Sequence, residues 1–483
     1  MPNRPIRSHA ARAPGRPGRV ESVNNRILSA VGLWLPPTGF LFIGRPPQIL
    51  AEITRLWETP NRVTGREAFD DKQNMLKDES NFEFTITNGT LTTMYKIKTY
   101  NAIAIRGLER FTRDKYEVAS EIGSPDALML RSHKLGEDEI GDSVAAVGRA
   151  GAGVNNIPVP YCTEKGIPVF NAPGANANAV KELVACALFL CSRGIVEGVN
   201  YARSLTSISD SAEMHQLLEK EKKKFRGSEI TGKTLGVVGL GAIGSLVAKM
   251  ALRLGMRVIG YDPALSVDAA WRLPSEVERM ENLQTLVARA DYVTLHLPVL
   301  DSTRQLVNAN LLSVFKEGAC LLNFARGEIV DVDAVVTALE QGKLRKYACD
   351  FPEPQLITRD DVILMPHLGA STNEAEENCA IMVADQLIDF LENGNIRNSV
   401  NFPTTYLERN EGYRLAIANQ NVPKKLSQVL DILADKNINV LDMLNKSRDD
   451  IAYNLIDIAN VPDPALLNEI RAIEGIINVR AIL

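Results

Sequence analysis

Gly236-Val-Val-Gly239-Leu-Gly241-Ala-Ile-Gly244 is the stretch on which the reading of this chain turns. A glycine-rich G-x-G-x-x-G string is weak evidence alone, but this one has context. An apolar run beginning at Leu235 precedes it, a helical pattern over residues 242–254 follows it, and a second apolar run ends at Tyr261-Asp262, 18 residues after Gly244. Each position has a physical task. Gly239 makes the tight turn, Gly241 lets backbone approach a pyrophosphate, and Gly244 lets the helix pack closely on its strand. The free N–H groups at the helix start, around Ala242 and Ile243, favour phosphate oxygens. Asp262 can accept from both hydroxyls of a ribose and repels a 2′-phosphate, so the pattern predicts NAD rather than NADP.

Working outward, the same alternation continues in both directions. Downstream come Tyr292-Val-Thr-Leu-His, Cys320-Leu-Leu-Asn-Phe, Lys346-Tyr-Ala-Cys and Val362-Ile-Leu-Met. Upstream come Tyr95-Lys-Ile-Lys-Thr, Ala127-Leu-Met-Leu and Ile167-Pro-Val-Phe. Short apolar runs separated by helical stretches of ten or more residues predict an α/β fold with parallel sheets. After Thr372, Cys379, Met382, Val383, Leu387, Phe390 and Leu391 recur at spacings of three and four, and Gly394 is placed to cap the helix they predict. The last 72 residues predict strand, helix, two strands, helix and strand, the split βαβ arrangement. The expected division is an unassigned, disordered extension over 1–93, one domain from 94–195 and 369–400, a dinucleotide domain over 196–368, a polar linker over 401–411 and a terminal domain over 412–483.

Composition narrows the function. The 483 residues are 45% hydrophobic and 23% charged, which suits globular domains. A formal charge of -5 argues against a nucleic-acid binder. Six cysteines and five histidines show no zinc-like spacing, so no metal is expected, and reduced thiols point to a cytoplasmic protein. Nine of the 24 prolines fall in the first 60 residues. Residues 27–44 are uncharged and follow an arginine-rich start, which also fits a transit segment or anchor, but Pro36-Pro37 interrupts them. A tail that adds no chemistry, with no membrane partner, is the simpler expectation.

Two side chains at strand ends stand out. Arg326, in Asn323-Phe-Ala-Arg326-Gly327, follows an apolar strand where open sheets bind ligands, and its fork suits a carboxylate. His367, in Pro366-His367-Leu-Gly369-Ala-Ser-Thr, has the same kind of position, and imidazole suits proton transfer.

In order and spacing, Gly239 to Gly244, Asp262, Leu295-His-Leu-Pro298, Asn323 to Asp331 and Pro366 to Thr372 resemble the D-isomer-specific 2-hydroxyacid dehydrogenases. Leu130-Arg131-Ser132, Val147 to Asn156 and Asn171 to Asn176 are similar to that family's substrate domain, and the terminal unit resembles an ACT domain. The resemblance covers residues 94–483. It implies a Rossmann-type NAD domain inserted in a flavodoxin-like substrate domain, with a ferredoxin-like βαββαβ regulatory domain. It implies that His367 takes the C2 hydroxyl proton, Arg326 holds the substrate carboxylate, and an acid partners His367. The family writes Asp-Val-Phe-x-x-Glu-Pro there, whereas this chain has Asp350-Phe-Pro-Glu353-Pro354, so Glu353 is favoured and Asp350 competes. Further cofactor contacts are expected at Pro298, Thr303, Ala325, Asp350 and Gly369. Substrate contacts are expected at Arg131, Ser132, Gly151, Ala152, Gly153 and Asn176, with backbone N–H groups near Gly151 forming a nest. The implied reaction is oxidation of 3-phospho-D-glycerate to 3-phosphohydroxypyruvate with NAD, at the entry to serine synthesis. A glyoxylate or hydroxypyruvate reductase and an NAD-sensing corepressor are the other readings. Asn419, Asn421 and Asn439 match positions that hold a serine effector in relatives, although Lys424 replaces a usual glycine. A homodimer or homotetramer is expected.

Overall fold

The computed structural model describes residues 41–42, 83–87 and 90–482. The chain divides into two units, residues 1–94 and 95–483. In the first, Leu41–Phe42, Glu83–Thr87 and Thr90–Thr93 form a three-stranded antiparallel sheet. Regular structure therefore precedes Met94, where no sustained pattern was expected. The rest of that extension, including most of residues 27–44, lies outside the described residues. Among the described residues no helix is long and apolar enough to cross a membrane.

Within the second unit the glycine-rich strand Thr234–Val238 lies inside a seven-stranded parallel sheet. The order is Glu278–Arg279, Arg257–Tyr261, Thr234–Val238, Tyr292–Leu295, Ala319–Asn323, Leu344–Cys349, Val362–Leu364. Every residue of the three strands Thr234–Val238, Tyr292–Leu295 and Ala319–Asn323 is buried, as expected for strands covered by helices on both faces. The chain order reverses beside Thr234–Val238, which sets the ligand crevice at the carboxyl ends there.

A five-stranded parallel sheet runs Tyr116–Ala119, Tyr95–Thr99, Ala127–Leu130, Ala146–Arg149, Val169–Phe170, the flavodoxin-like order. The helix Asn373–Asn393 returns to cover it. Its N-cap Thr372 side chain accepts from the Ala375 N–H, and Gly394 ends it at φ 71°. Val383 and Leu387 press on Gly148, where an added Cβ would lie 2.5 Å from Val383 Cγ1.

The terminal sheet is antiparallel in the order Val440–Arg448, Ile451–Ile458, Tyr413–Gln420, Ile476–Ile482. Helices Lys425–Asp435 and Pro464–Arg471 cover one face through Leu415, Ile417, Val429, Leu433, Ile456 and Leu466. The other face does not stand free. Ala416, Ala418, Tyr453, Leu455 and Ile482 share a core with Phe170, Phe390, Leu391 and Phe402 of the flavodoxin-like part. Phe402 and Thr405, inside the expected polar linker, are buried. Arg414 binds this joint. Its Nε and Nη2 donate to the two carboxylate oxygens of Asp457 at 2.6 and 2.7 Å, and its remaining N–H groups donate to the carbonyls of Asn393, Leu407 and Glu408.

Candidate active site

The glycine loop behaves as its spacing predicts. Gly239 has φ 89°, a conformation that a side chain rarely adopts, and an added Cβ would lie 2.4 Å from the His296 carbonyl oxygen. A Cβ on Gly244 would lie 1.9 Å from the Gly239 carbonyl oxygen, so helix Ala242–Arg253 can sit on its strand only with glycine there. Around Gly241, in contrast, a Cβ would meet nothing within 4 Å. No side chain caps this helix, so its first N–H groups are left to solvent or a ligand. These features fit a dinucleotide pyrophosphate. Asp262 follows strand Arg257–Tyr261, and its oxygens accept from the N–H groups of Leu240 (2.8 Å) and Ala264 (2.9 Å). Those two bonds fix the carboxylate beside the glycine turn, and each oxygen keeps a lone pair for a ribose hydroxyl.

Next along the sheet, His296 follows strand Tyr292–Leu295. Its Nε2 lies 3.0 Å from Thr294 Oγ1, its buried Nδ1 has no partner, and burial pushes the imidazole down to about 3. Thr303 donates to the Pro298 carbonyl at 2.7 Å and accepts from the Leu300 N–H, which closes the 298–303 turn. Pro298 and Thr303 thus lie at the carboxyl edge of the sheet, as expected of cofactor contacts.

Arg326 is exposed just beyond strand Ala319–Asn323, and buried Asn323 shapes its loop. Asn323 Nδ2 donates to the Arg326 carbonyl and its Oδ1 accepts from the Ala325 N–H. His367 is exposed beyond Val362–Leu364, with φ 57°. Asp350, 2% exposed, holds it there. Its carbonyl accepts from the His367 N–H, and its carboxylate oxygens accept from the N–H groups of Leu368 and Gly369, both at 2.7 Å. Asp350 is therefore engaged by the backbone on both oxygens, and no hydrogen bond joins its carboxylate to the imidazole. Glu353 is exposed on the same loop, and no hydrogen bond joins it to His367. The aromatic ring against His367 is Phe351, with centroids 5.2 Å apart, and a Cβ on Gly327, beside Arg326, would lie 3.4 Å from Phe351 Cβ.

Across the crevice, Arg131 follows Ala127–Leu130, and Arg149 ends the neighbouring strand in register with Leu130. Arg149 was not singled out by the sequence. Its Nε donates to the Arg131 carbonyl at 3.0 Å, and Asn156 Nδ2 donates to the same oxygen at 3.2 Å. Burial lowers the Arg149 pKa; nearby Cys379 opposes this, and the like charges of Arg131 and Arg326 lower it further. A Cβ on Gly153 would lie 3.9 Å from both Arg149 Nη1 and Arg326 Nη2, so arginines of the two sheets converge on this loop. The expected nest at Gly151 to Gly153 is modified. Neither glycine has positive φ, and the Gly151 N–H already donates to the Arg149 carbonyl at 2.7 Å. Glycine at 151 instead leaves room for the Arg149 guanidinium where it lies, since a Cβ would sit 2.1 Å from its Nη1. The N–H groups of Ala152 and Gly153 make no hydrogen bond among the described residues. Ser132 is exposed, and Asn176 caps helix Ala177–Ser192 without a side-chain bond, so both have free polar atoms.

Two of the three terminal amides already spend side-chain hydrogen bonds inside the chain. Asn419 is buried and accepts from Asn454 Nδ2 at 2.7 Å, Asn421 is exposed and donates to the Asp449 carbonyl, and Asn439 is exposed. Lys424, which stands in place of the usual glycine, has φ 75°.

The profile described as D-isomer specific 2-hydroxyacid dehydrogenase, NAD binding domain, matches residues 198–369. D-3-phosphoglycerate dehydrogenase of Haemophilus influenzae is 35% identical over 370 residues, 74% of this chain and 85% of its own length. That of Escherichia coli K12 is 34% identical over 370 residues, 73% and 85% of the two chains. The Methanocaldococcus jannaschii protein of that name is 37% identical over 304 residues, 61% of this chain and 55% of its own length, so the chain spans about half of that relative. Among solved structures, the holo form of Rhodotorula graminis D-mandelate dehydrogenase shares the fold, with a TM-score of 0.55 at 22% identity over 65% of this chain and 99% of its own.

Proposed function

Since the chain belongs to the D-isomer-specific 2-hydroxyacid dehydrogenases and is an NAD-dependent enzyme, we propose that its substrate is 3-phospho-D-glycerate, oxidised to 3-phosphohydroxypyruvate for serine synthesis. The observation that carries this is the convergence of Arg131, Arg149 and Arg326. Of the three guanidiniums, Arg149 is destabilised by burial beside the other two, and neither it nor Arg326 has a carboxylate partner among the described residues, which favours a ligand with more than one anionic group. A monocarboxylic 2-hydroxy acid without a phosphate has only one. Relatives named for phosphoglycerate support the same substrate.

In this reading Gly239, Gly241, Ala242, Ile243 and Gly244 hold the pyrophosphate, and Asp262 holds the adenosine ribose. Bound NAD supplies a hydride acceptor. Arg326 and the N–H groups of Ala152 and Gly153 fix the substrate carboxylate. Arg131, with Arg149 behind it, takes the phosphate. His367 accepts the C2 hydroxyl proton at a ring nitrogen, and Asp350 holds the loop that presents it. Glu353, exposed on the same loop, stabilises the imidazolium on closure of the crevice. The terminal unit serves assembly of a homo-oligomer, through the exposed edge strand Val440–Arg448, which carries Leu441 and Met443. Serine control through Asn439 is the finer part of the proposal, and turnover against serine concentration tests it.

The deciding assay is NADH formation with 3-phospho-D-glycerate, D-glycerate and D-lactate under one set of conditions. A kcat/KM for 3-phospho-D-glycerate at least tenfold above the others supports the reading. Preference for D-lactate or D-glycerate refutes it.

A further inference from the structure

Arg131 is not free to receive an anion. Its Nη2 donates to Glu376 Oε1 at 2.5 Å, an ion pair across 245 residues of sequence. Glu376 stands in the first turn of helix Asn373–Asn393, but Thr372 supplies the cap of that helix. Arg131 and Glu376 side chains are 39% and 37% exposed, so the pair lies at the rim of the crevice, where such pairs are weak and exchangeable. Arg149 and Arg326 have no carboxylate partner among the described residues. Arg149 lends its Nε to the Arg131 carbonyl, and Arg326 lends Nη1 to the Ala325 carbonyl at 2.6 Å. Of the three converging arginines, the one expected to meet the phosphate is thus the one already neutralised.

We propose that Glu376 is a specificity-determining residue, an internal anion on Arg131 that a substrate phosphate has to displace, and that it sets the affinity for phosphorylated over unphosphorylated 2-hydroxy acids. This rests on the assignment of Arg131 to the phosphate. A phosphate dianion competes well for the guanidinium because it carries more charge and more acceptor oxygens than a carboxylate. A substrate without a phosphate leaves the pair closed and does not sense it. Glu376 acts through Arg131, so its effect belongs in KM and not in the hydride-transfer step.

The test compares the full-length chain with its Glu376→Gln variant, using initial rates with NAD and either 3-phospho-D-glycerate or D-glycerate. The amide keeps size and polarity but removes the competing charge. KM for the phosphorylated acid is expected to fall about tenfold. The split is expected in KM, with KM for D-glycerate moving by less than about twofold. A rise in KM for the phosphorylated acid, or an equal shift for both acids, overturns the proposal. If the parent enzyme uses D-glycerate or D-lactate and ignores 3-phospho-D-glycerate, the substrate assignment fails. Inorganic phosphate then decides the role of Glu376, as a competitive inhibitor of the acid that is turned over. Its Ki is expected to fall about tenfold in the variant, and an unchanged Ki overturns the proposal. Thermal midpoints are read alongside, and a glutamine variant that melts early is replaced by Glu376→Ser under the same expectations.

Discussion

Asp350→Asn isolates what holds the catalytic loop. The wild-type carboxylate accepts from the Leu368 and Gly369 N–H groups, both at 2.7 Å, while the backbone at His367 is held at φ 57°. An asparagine has one acceptor oxygen. One N–H keeps a weaker, uncharged bond, and the other faces the amide NH2, donor against donor. A hydrogen bond to a charged group contributes about 1.5 to 3 kcal/mol. Asp350 is buried, so no solvent replaces the lost bond. The loss of about 2 to 3 kcal/mol falls on the arrangement that presents His367, and tenfold per 1.4 kcal/mol converts it to a fall of about 30- to 140-fold in kcat/KM. The left-handed backbone at His367 adds a tendency to relax once its clamp is weakened. Initial rates are measured for Asp350→Asn, His367→Ala and the double variant. If Asp350 acts through His367, the double variant is no slower than His367→Ala alone. A single variant within threefold of wild type, or a full penalty retained in the His367→Ala background, refutes the reasoning.

His367→Ala itself is expected to lower kcat by about two to four orders of magnitude, and near-normal kcat would place the proton acceptor elsewhere. Asp262→Ala is expected to admit NADP, read as a fall in the NAD to NADP ratio of kcat/KM; an unchanged ratio moves the ribose contact to another residue. Arg414→Met leaves buried Asp457 without its counter-charge and three carbonyls without donors, so unfolding in urea should show a loss of about 3 to 5 kcal/mol, whereas a loss under 1 kcal/mol contradicts the role of the joint. Burial holds His296 near a pKa of about 3, and an unfolded imidazole titrates near 6.5, so the stability tied to its neutral form is complete above about 6.5 and is lost as pH falls toward 3. Unfolding free energies of wild type and His296→Phe should therefore differ increasingly in favour of the variant from pH 6 to 4, by up to about 1.4 kcal/mol per pH unit, and a pH-independent difference argues against a buried neutral imidazole.

Much of the architecture is carried by local pattern. The glycine spacing around Gly239, the apolar runs of the long strands and the Gly394 cap are set by backbone sterics and by burial of one short segment, and these operate within a few residues. The βαββαβ order of the last 72 residues was legible for the same reason. The two-residue strand Glu278–Arg279 was not, because two residues carry no periodicity. The site divides along the same line. Arg326, His367 and Asp262 announce themselves by standing just after strands, and a strand end is a local feature. Arg149 and Glu376 do not, since the first matters through register with the next strand and the second through a partner 245 residues away. Asp350 and Glu353 differ by three positions, and only packing turns the first into the loop at Leu368 and Gly369 and leaves the second exposed. The same holds for Asn419, an amide suited to a ligand by type but buried against Asn454 on the next strand. Residue type and spacing determined which chemistry this chain carries. Which polar groups remain open to a ligand was decided by tertiary structure, because each hydrogen-bonding atom goes to whichever partner packing brings within 3 Å, and that partner is set by sheet order rather than by neighbours in sequence.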